Sequence, residues 1–318
     1  MAQEIARDVS SNGGYTRVED LQNYKALPGV LVRAHYRGTE ILTVGGNAWG
    51  DTLAEMLNIL DRFPVQHGSS TVQEIELLAR IMSQALDDRP QEIGSLKPKA
   101  NGFALSKLSS PEFAKKRADG IAADIKAGRQ MRSGEIGEQG DTTHLAVIDA
   151  EGNAVSLTTS IGPTFGSRVV SPQLGFFYAH SYRMIADPKP NQRDETEMSP
   201  SIVLRDGKPI MVIGAAGSER IPTAILQVIS NVIDRGWTLE HAVGAPRIFT
   251  YANSLRMQTG LPAQFATTLQ QRGFKVDVLP PGDPRHLGIV HGVAFDPVTK
   301  LYSGVAEPSF YGSAAGPQ

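Results

Sequence analysis

The sequence predicts an α+β fold in which stacked antiparallel sheets are covered by helices. Three observations lead there. Runs of strand composition come in pairs across tight turns, with Arg37-Gly38, Gly152-Asn153 and Asp206-Gly207 at the bends. Between the pairs, apolar residues recur at helical spacing, as in Leu53, Met56, Leu57 and Leu60. A chain of 318 residues can also bury a sizeable core, as one large domain or two modest ones.

In chain order, Ile5 to Val9 reads as a short helix that stops near Gly13-Gly14, and Thr16 with Glu19 three residues on has a helix-cap pattern. Residues 30–36 and 40–44 make a first hairpin. Ile75, Leu78, Ala79 and Met82 form a second helical stripe, and 113–125 a third helix. Residues 129–139 are polar, contain two glycines and lack periodicity, which predicts a flexible loop. A hairpin across Asp206-Gly207 leads into Gly214-Ala215-Ala216-Gly217-Ser218. That turn opens a helix with the stripe Ile221, Ala224, Ile225, Val228, Ile229, ended by Gly236. A last hairpin pairs 293–295 with 301–305.

Basic and acidic residues number 31 and 33, so nothing in the charge suggests a nucleic acid or an anionic membrane as partner. The absence of cysteine excludes disulfides, thiol catalysis and thiolate metal sites. Seven histidines are scattered, with no His-x-His or His-x-x-x-His pair. No metal or other cofactor is expected. No run reaches the ~18 apolar residues of a membrane-spanning helix. The first residues lack the basic-then-apolar order of a signal peptide.

The stretch 140–161 organises the chain. It reads as a hairpin whose second strand places Val155 and Leu157 on one face and Ser156, Thr158 and Ser160 on the other. By pattern alone, a face of hydroxyls is a solvated sheet surface. The sequence around it gives a second reading. Thr142-Thr143-His144, Asp149-x-x-Gly152-Asn153-Ala154-Val155-Ser156 and Phe165-Gly166-Ser167 resemble the start of the small subunit in the γ-glutamyltranspeptidase family. The likeness continues through Met198-Ser199-Pro200-Ser201, Gly214-Ala215-Ala216-Gly217 and Ala245-Pro246-Arg247, reaching from the start to about Ala306.

That resemblance implies an N-terminal nucleophile hydrolase with a four-layer αββα sandwich, in which a precursor is cut before the first Thr of the pattern. Cleavage then falls between Asp141 and Thr142, leaving 1–141 as a large-subunit-like region and 142–318 as a small-subunit-like one, intertwined in one domain. The product is a heterodimer of the two pieces, open to further association. A Thr hydroxyl is a weak nucleophile until a base removes its proton. A freed α-amine, with a pKa near ~8, supplies that base on the same residue. By the same matching, Ser160 stands where a Thr orients the nucleophile, with Thr158 on the same face in support. Gly217 and Ser218 stand at the oxyanion pair, where a helix N-terminus favours negative charge. A plain strand-to-helix turn is the alternative. Residues 129–139 are then either an ordinary linker or the accessible approach to the cleavage point.

The substrate pocket departs from the family. Gly162 replaces an Asn, Ser181 a Gln and Met184 an Asp that would hold the α-amine of a glutamyl group. Thr196-Glu197 replaces a Ser pair that contacts its carboxylate, and Glu197 facing such a carboxylate would repel it. Ser218 replaces the second oxyanion Gly. A carboxylate-clamping Arg and further large-subunit sequence would precede residue 1 in the family. Two functions are therefore expected to compete. One is an autoprocessing amide hydrolase or acyltransferase acting on a small-molecule amide or γ-glutamyl-like substrate. The other is a silent relative or subunit that needs a partner chain.

Overall fold

A computed structural model describes residues 1–64, 67–89, 105–137, 141–180, 189–190 and 192–316. The chain begins with α1 (Ala2–Ser11), α2 (Val18–Asn23), the hairpin β1 (Val30–Tyr36) and β2 (Thr39–Gly45), then α3 (Gly50–Leu60) and α4 (Val72–Asp88). Next come α5 (Pro111–Lys126), the hairpin β3 (Asp141–Ile148) and β4 (Ala154–Gly162), and the hairpin β5 (Ser201–Arg205) and β6 (Lys208–Ala216). The remainder is α6 (Arg220–Arg235), α7 (Leu239–Gly244), β7 (Ile248–Tyr251), β8 (Ser254–Gln258), α8 (Ala263–Gln271), β9 (Lys275–Leu279), β10 (Ile289–Phe295) and β11 (Tyr302–Val305).

Six strands form an antiparallel sheet in the order β1-β2-β5-β6-β10-β11. Helices α3 and α6 cover one face. There Met211, Ile213 and Ala215 of β6 join Leu53, Met56 and Leu57 of α3 and the Ile221, Ala224, Ile225, Val228, Ile229 stripe of α6 in a single core. Each fully buried aliphatic side chain stabilises this layer by about 1.5–3 kcal/mol. Helix α6 stops where periodicity predicts, at Gly236 with φ 65°, a left-handed cap that favours glycine. Buried Asp234, near its end, accepts from the Tyr36 hydroxyl and ties the first hairpin to the helix.

The β3–β4 hairpin packs on the opposite face of the sheet, over β6 and β10. Its hydroxyl-bearing side faces inward. Leu145, Val147, Val155 and Leu157 point the other way and are each roughly half exposed. This overturns the solvated-hydroxyl reading. Polarity alone sends hydroxyls to water, but here Ser160 meets Thr142, Thr158 meets His144 and Ser156 meets the backbone beneath it.

Two further differences follow from local chemistry. Helix α2 starts one residue later than the Thr16 pattern implies, with Arg17 as its cap and the Arg17 N–H bonded to Asp20 at 2.8 Å. The third sheet, β7-β8-β9, pairs β8 with β9 in parallel. The crossover is made by α8, which returns the chain to the same edge, as parallel pairing requires.

Candidate active site

The β3–β4 register places Thr142 opposite Ser160 and Asp141 opposite Gly162, with a bulge between Asp141 and Thr142. Bulges interrupt the ladder and re-aim side chains. Thr142 Oγ1 donates to Ser160 Oγ at 3.1 Å. The Gly162 N–H donates to the same oxygen at 3.1 Å. Gly162 has φ 94°, and a Cβ there would stand 2.7 Å from the His180 carbonyl oxygen. A side chain is excluded at this position by backbone on one side and by conformation on the other.

Thr158, expected beside the nucleophile, is bonded elsewhere. Its Oγ1 lies 2.9 Å from His144 Nδ1. The buried His144 ring rests on Gly214 of β6, the one residue type that leaves room for it. Burial, and secondarily His291, pulls the His144 pKa down to about 4, so the ring is neutral at pH 7. Ser156, opposite Ala146, donates to the Ile213 carbonyl at 3.2 Å. Moving from Ala146 through His144 to Thr142 therefore moves from Ile213 through Gly214 toward the end of β6, where Gly217 and Ser218 follow.

Both residues of that turn have positive φ, 129° at Gly217 and 55° at Ser218. The Gly217 carbonyl accepts from Arg220 N at 3.1 Å and the Ser218 carbonyl from Ile221 N at 2.9 Å, so the turn is continuous with the first turn of α6. His286 lies behind it. A Cβ on Gly217 would be 2.9 Å from His286 Cε1, and His286 Nδ1 accepts from Gly288 N at 3.2 Å. Burial, with Arg220 and Arg247 adding to it, lowers the His286 pKa to about 4. Gly288 in turn is held through its carbonyl by buried Arg247, which pairs with buried Glu307 at 2.7 Å.

Thr196 is fixed by the turn before α3. Its N–H donates to Asn47 O at 2.8 Å, and its hydroxyl accepts from Met198 N at 3.3 Å. Glu197 is buried and within electrostatic reach of Arg89 and Arg220, two buried guanidiniums. Burial lowers both arginine pKa values to about 10, and Glu197 is among the carboxylates that oppose this. Each of these arginines has a stronger acidic neighbour, Glu195 for Arg89 and Glu219 for Arg220. Sequence reasoning missed Arg89, Arg220 and His286. Arg220 carried one signal, its place two residues after the Gly217-Ser218 turn. Ser181, Met184 and the last residues of the 129–139 loop lie outside the described residues.

A family model described as Gamma-glutamyltranspeptidase matches residues 1–316. The chain belongs to the γ-glutamyltranspeptidase family. Among its curated relatives, the glutathione hydrolase proenzyme of Escherichia coli is 28% identical, covering 97% of this chain and 56% of that protein. The acylase ACY 1 proenzyme of a Pseudomonas species is 32% identical, covering 91% and 52%. Among solved structures, the cephalosporin acylase of Bacillus halodurans superposes with TM-score 0.79 at 27% identity, covering 97% of this chain and 56% of that one. The chain spans about half the length of the curated relatives it matches.

Proposed function

We propose that this chain carries the reaction centre of an autoprocessing amide hydrolase or acyltransferase of the γ-glutamyltranspeptidase family, with Thr142 as nucleophile. The observation that carries the reading is the Thr142–Ser160 hydrogen bond beside a bulge at the Asp141–Thr142 peptide. In the proenzyme, Thr142 Oγ1 attacks the Asp141 carbonyl carbon. The peptide C–N bond breaks as the proton passes to the leaving nitrogen, and water hydrolyses the resulting ester. The freed α-amine of Thr142 then takes the hydroxyl proton when a substrate amide is attacked. Ser160, held by the Gly162 N–H, fixes the hydroxyl. The Gly217-Ser218 turn at the start of α6 receives the oxyanion, where the helix dipole favours negative charge.

Glutathione hydrolases and acylases both stand among the relatives, and the pocket favours the acylase side. No side chain fits at Gly162 to hold an α-amine, and Glu197 is buried near two arginines. The acyl group is therefore one without a free α-amino acid end. The helix–sheet–sheet order described here is completed to an αββα sandwich by a second helical layer over Leu145, Val147, Val155 and Leu157. That exposed aliphatic face also favours a second reading, in which the chain works as one subunit of a larger enzyme.

Incubating soluble protein and sequencing the N-terminus of the shorter fragment tests the mechanism. A fragment beginning at Thr142 is expected from wild type and none from Thr142→Ala. Turnover of an amide by uncut protein, surviving Thr142→Ala, would sink it. Glutaryl and phenylacetyl p-nitroanilides should be cleaved faster than γ-glutamyl p-nitroanilide, and the reverse order would reject the acyl preference.

A further inference from the structure

Ser218 carries two local costs that glycine would not. Its φ of 55° lies in the left-handed region, where an L side chain is strained and glycine is not. Its hydroxyl is buried, with the residue 4% exposed, and has no hydrogen-bond partner among the described residues. A buried hydroxyl without a partner is unfavourable, and such groups call for an explanation. The hydroxyl does not cap α6 either, since only the Ser218 carbonyl engages the helix, through Ile221 N. The surroundings are prepared for negative charge. The α6 N-terminus begins here, and its dipole favours negative charge.

We propose that the Ser218 hydroxyl is a substrate contact, donating a hydrogen bond to the acyl oxygen that becomes negative when Thr142 attacks. It supplements the backbone of the Gly217-Ser218 turn with a side-chain donor, and the inference rests on Thr142 being the nucleophile. A neutral donor aimed at developing charge stabilises the transition state more than the ground state. An orphaned hydroxyl in the resting protein is the cost of having that donor in place beforehand. Strain and an unpaired group at one position then have a common origin.

The test compares wild type, Ser218→Gly, Ser218→Ala and Thr142→Ala, each as the full chain, with an alkyl fluorophosphonate as probe. The probe forms a bond from phosphorus to Thr142 Oγ1 with loss of fluoride, and its phosphoryl oxygen takes the oxyanion position. Ser218→Gly should melt roughly 2–5 °C higher, because strain and the orphan are both removed. Its maximal labelling rate should nevertheless fall about tenfold or more, with half-saturation within about twofold of wild type. Ser218→Ala should lose the same rate, assigning the loss to the hydroxyl. A structural role predicts no stabilised variant with a slower chemical step. Labelling of Ser218→Gly as fast as wild type, or a lower melting temperature, overturns the inference. If wild type is not labelled on Thr142, or Thr142→Ala is labelled equally fast, the nucleophile assignment fails and this inference with it. If wild type is labelled on Thr142 and both Ser218 variants keep its rate, only the Ser218 assignment fails.

Discussion

The His144 imidazole occupies the space that a side chain on Gly214 would need. One ring therefore sets how closely the Thr142 hairpin lies on β6. The ring cannot simply swing away, because its Nδ1 is engaged with Thr158. Gly214→Ala should lift the hairpin, lowering stability by about 1–3 kcal/mol as in other overpacked cores, and should slow self-cleavage. Urea unfolding and the rate of fragment appearance measure the two effects. An unchanged urea midpoint would mean that the ring has room to move.

Ser160 is the second expectation. Its oxygen receives both Thr142 Oγ1 and the Gly162 N–H. Ser160→Ala should slow cleavage and turnover by about tenfold or more, since a misplaced nucleophile loses orientation, while the fold persists. Ser160→Thr keeps the oxygen and should retain most activity. Equal rates for wild type and Ser160→Ala would remove Ser160 from the mechanism.

Acid should loosen the hairpin. Folding lowers the His144 pKa from 6.5 to about 4 through burial first and His291 second. Between those values the unfolded chain binds more protons than the folded one. The His144 contribution is thus fully present above pH 6.5 and is lost as pH falls toward 4, on the order of 3 kcal/mol. The difference in stability between wild type and His144→Gln, followed by urea titration from pH 7.5 to 4.5, should shrink with acidification. A constant difference would refute the buried neutral imidazole.

Glu55 should behave in the opposite sense. It is fully buried in α3, and Asp88 lies close enough to share a proton with its carboxyl group. Burial, then Asp88, raises its pKa well above 4.5. Above pH 4.5 the unfolded chain releases this proton while the folded chain keeps it, so stability is lost as pH rises. Glu55→Gln removes that dependence and should be more stable than wild type at pH 8, with a smaller gain at pH 5. A gain independent of pH would show that Glu55 is ionised in the fold.

The hairpins and helices were legible because their signals are local. Asp206-Gly207 and the α6 stripe need no knowledge of the rest of the chain. The Thr142–Ser160 pair was legible only through the family resemblance, which sets Ser160 where a Thr orients the nucleophile; alternation showed Ser160 on the hydroxyl face and no more. Which way that face points was not legible. Inwardness at β3–β4 depends on Gly214 leaving room for His144 and on the Ile213 carbonyl waiting for Ser156, 70 and 57 residues away in sequence. The surroundings of Glu197 were illegible for a similar reason. Its neighbours Arg89 and Arg220 come from α4 and α6 ends that no spacing in the sequence relates to it.

The hairpin bearing Thr142 is two strands wide, with aliphatic side chains half in water on its outer side. Ribbons of that width are marginal without neighbours, so this piece should open at a lower free energy than the six-stranded sheet beneath it. Warming would then silence the protein before melting it. Amides of β3 and β4 would exchange with deuterium well ahead of those in β6, and a sample could keep its full circular dichroism after its chemistry has gone.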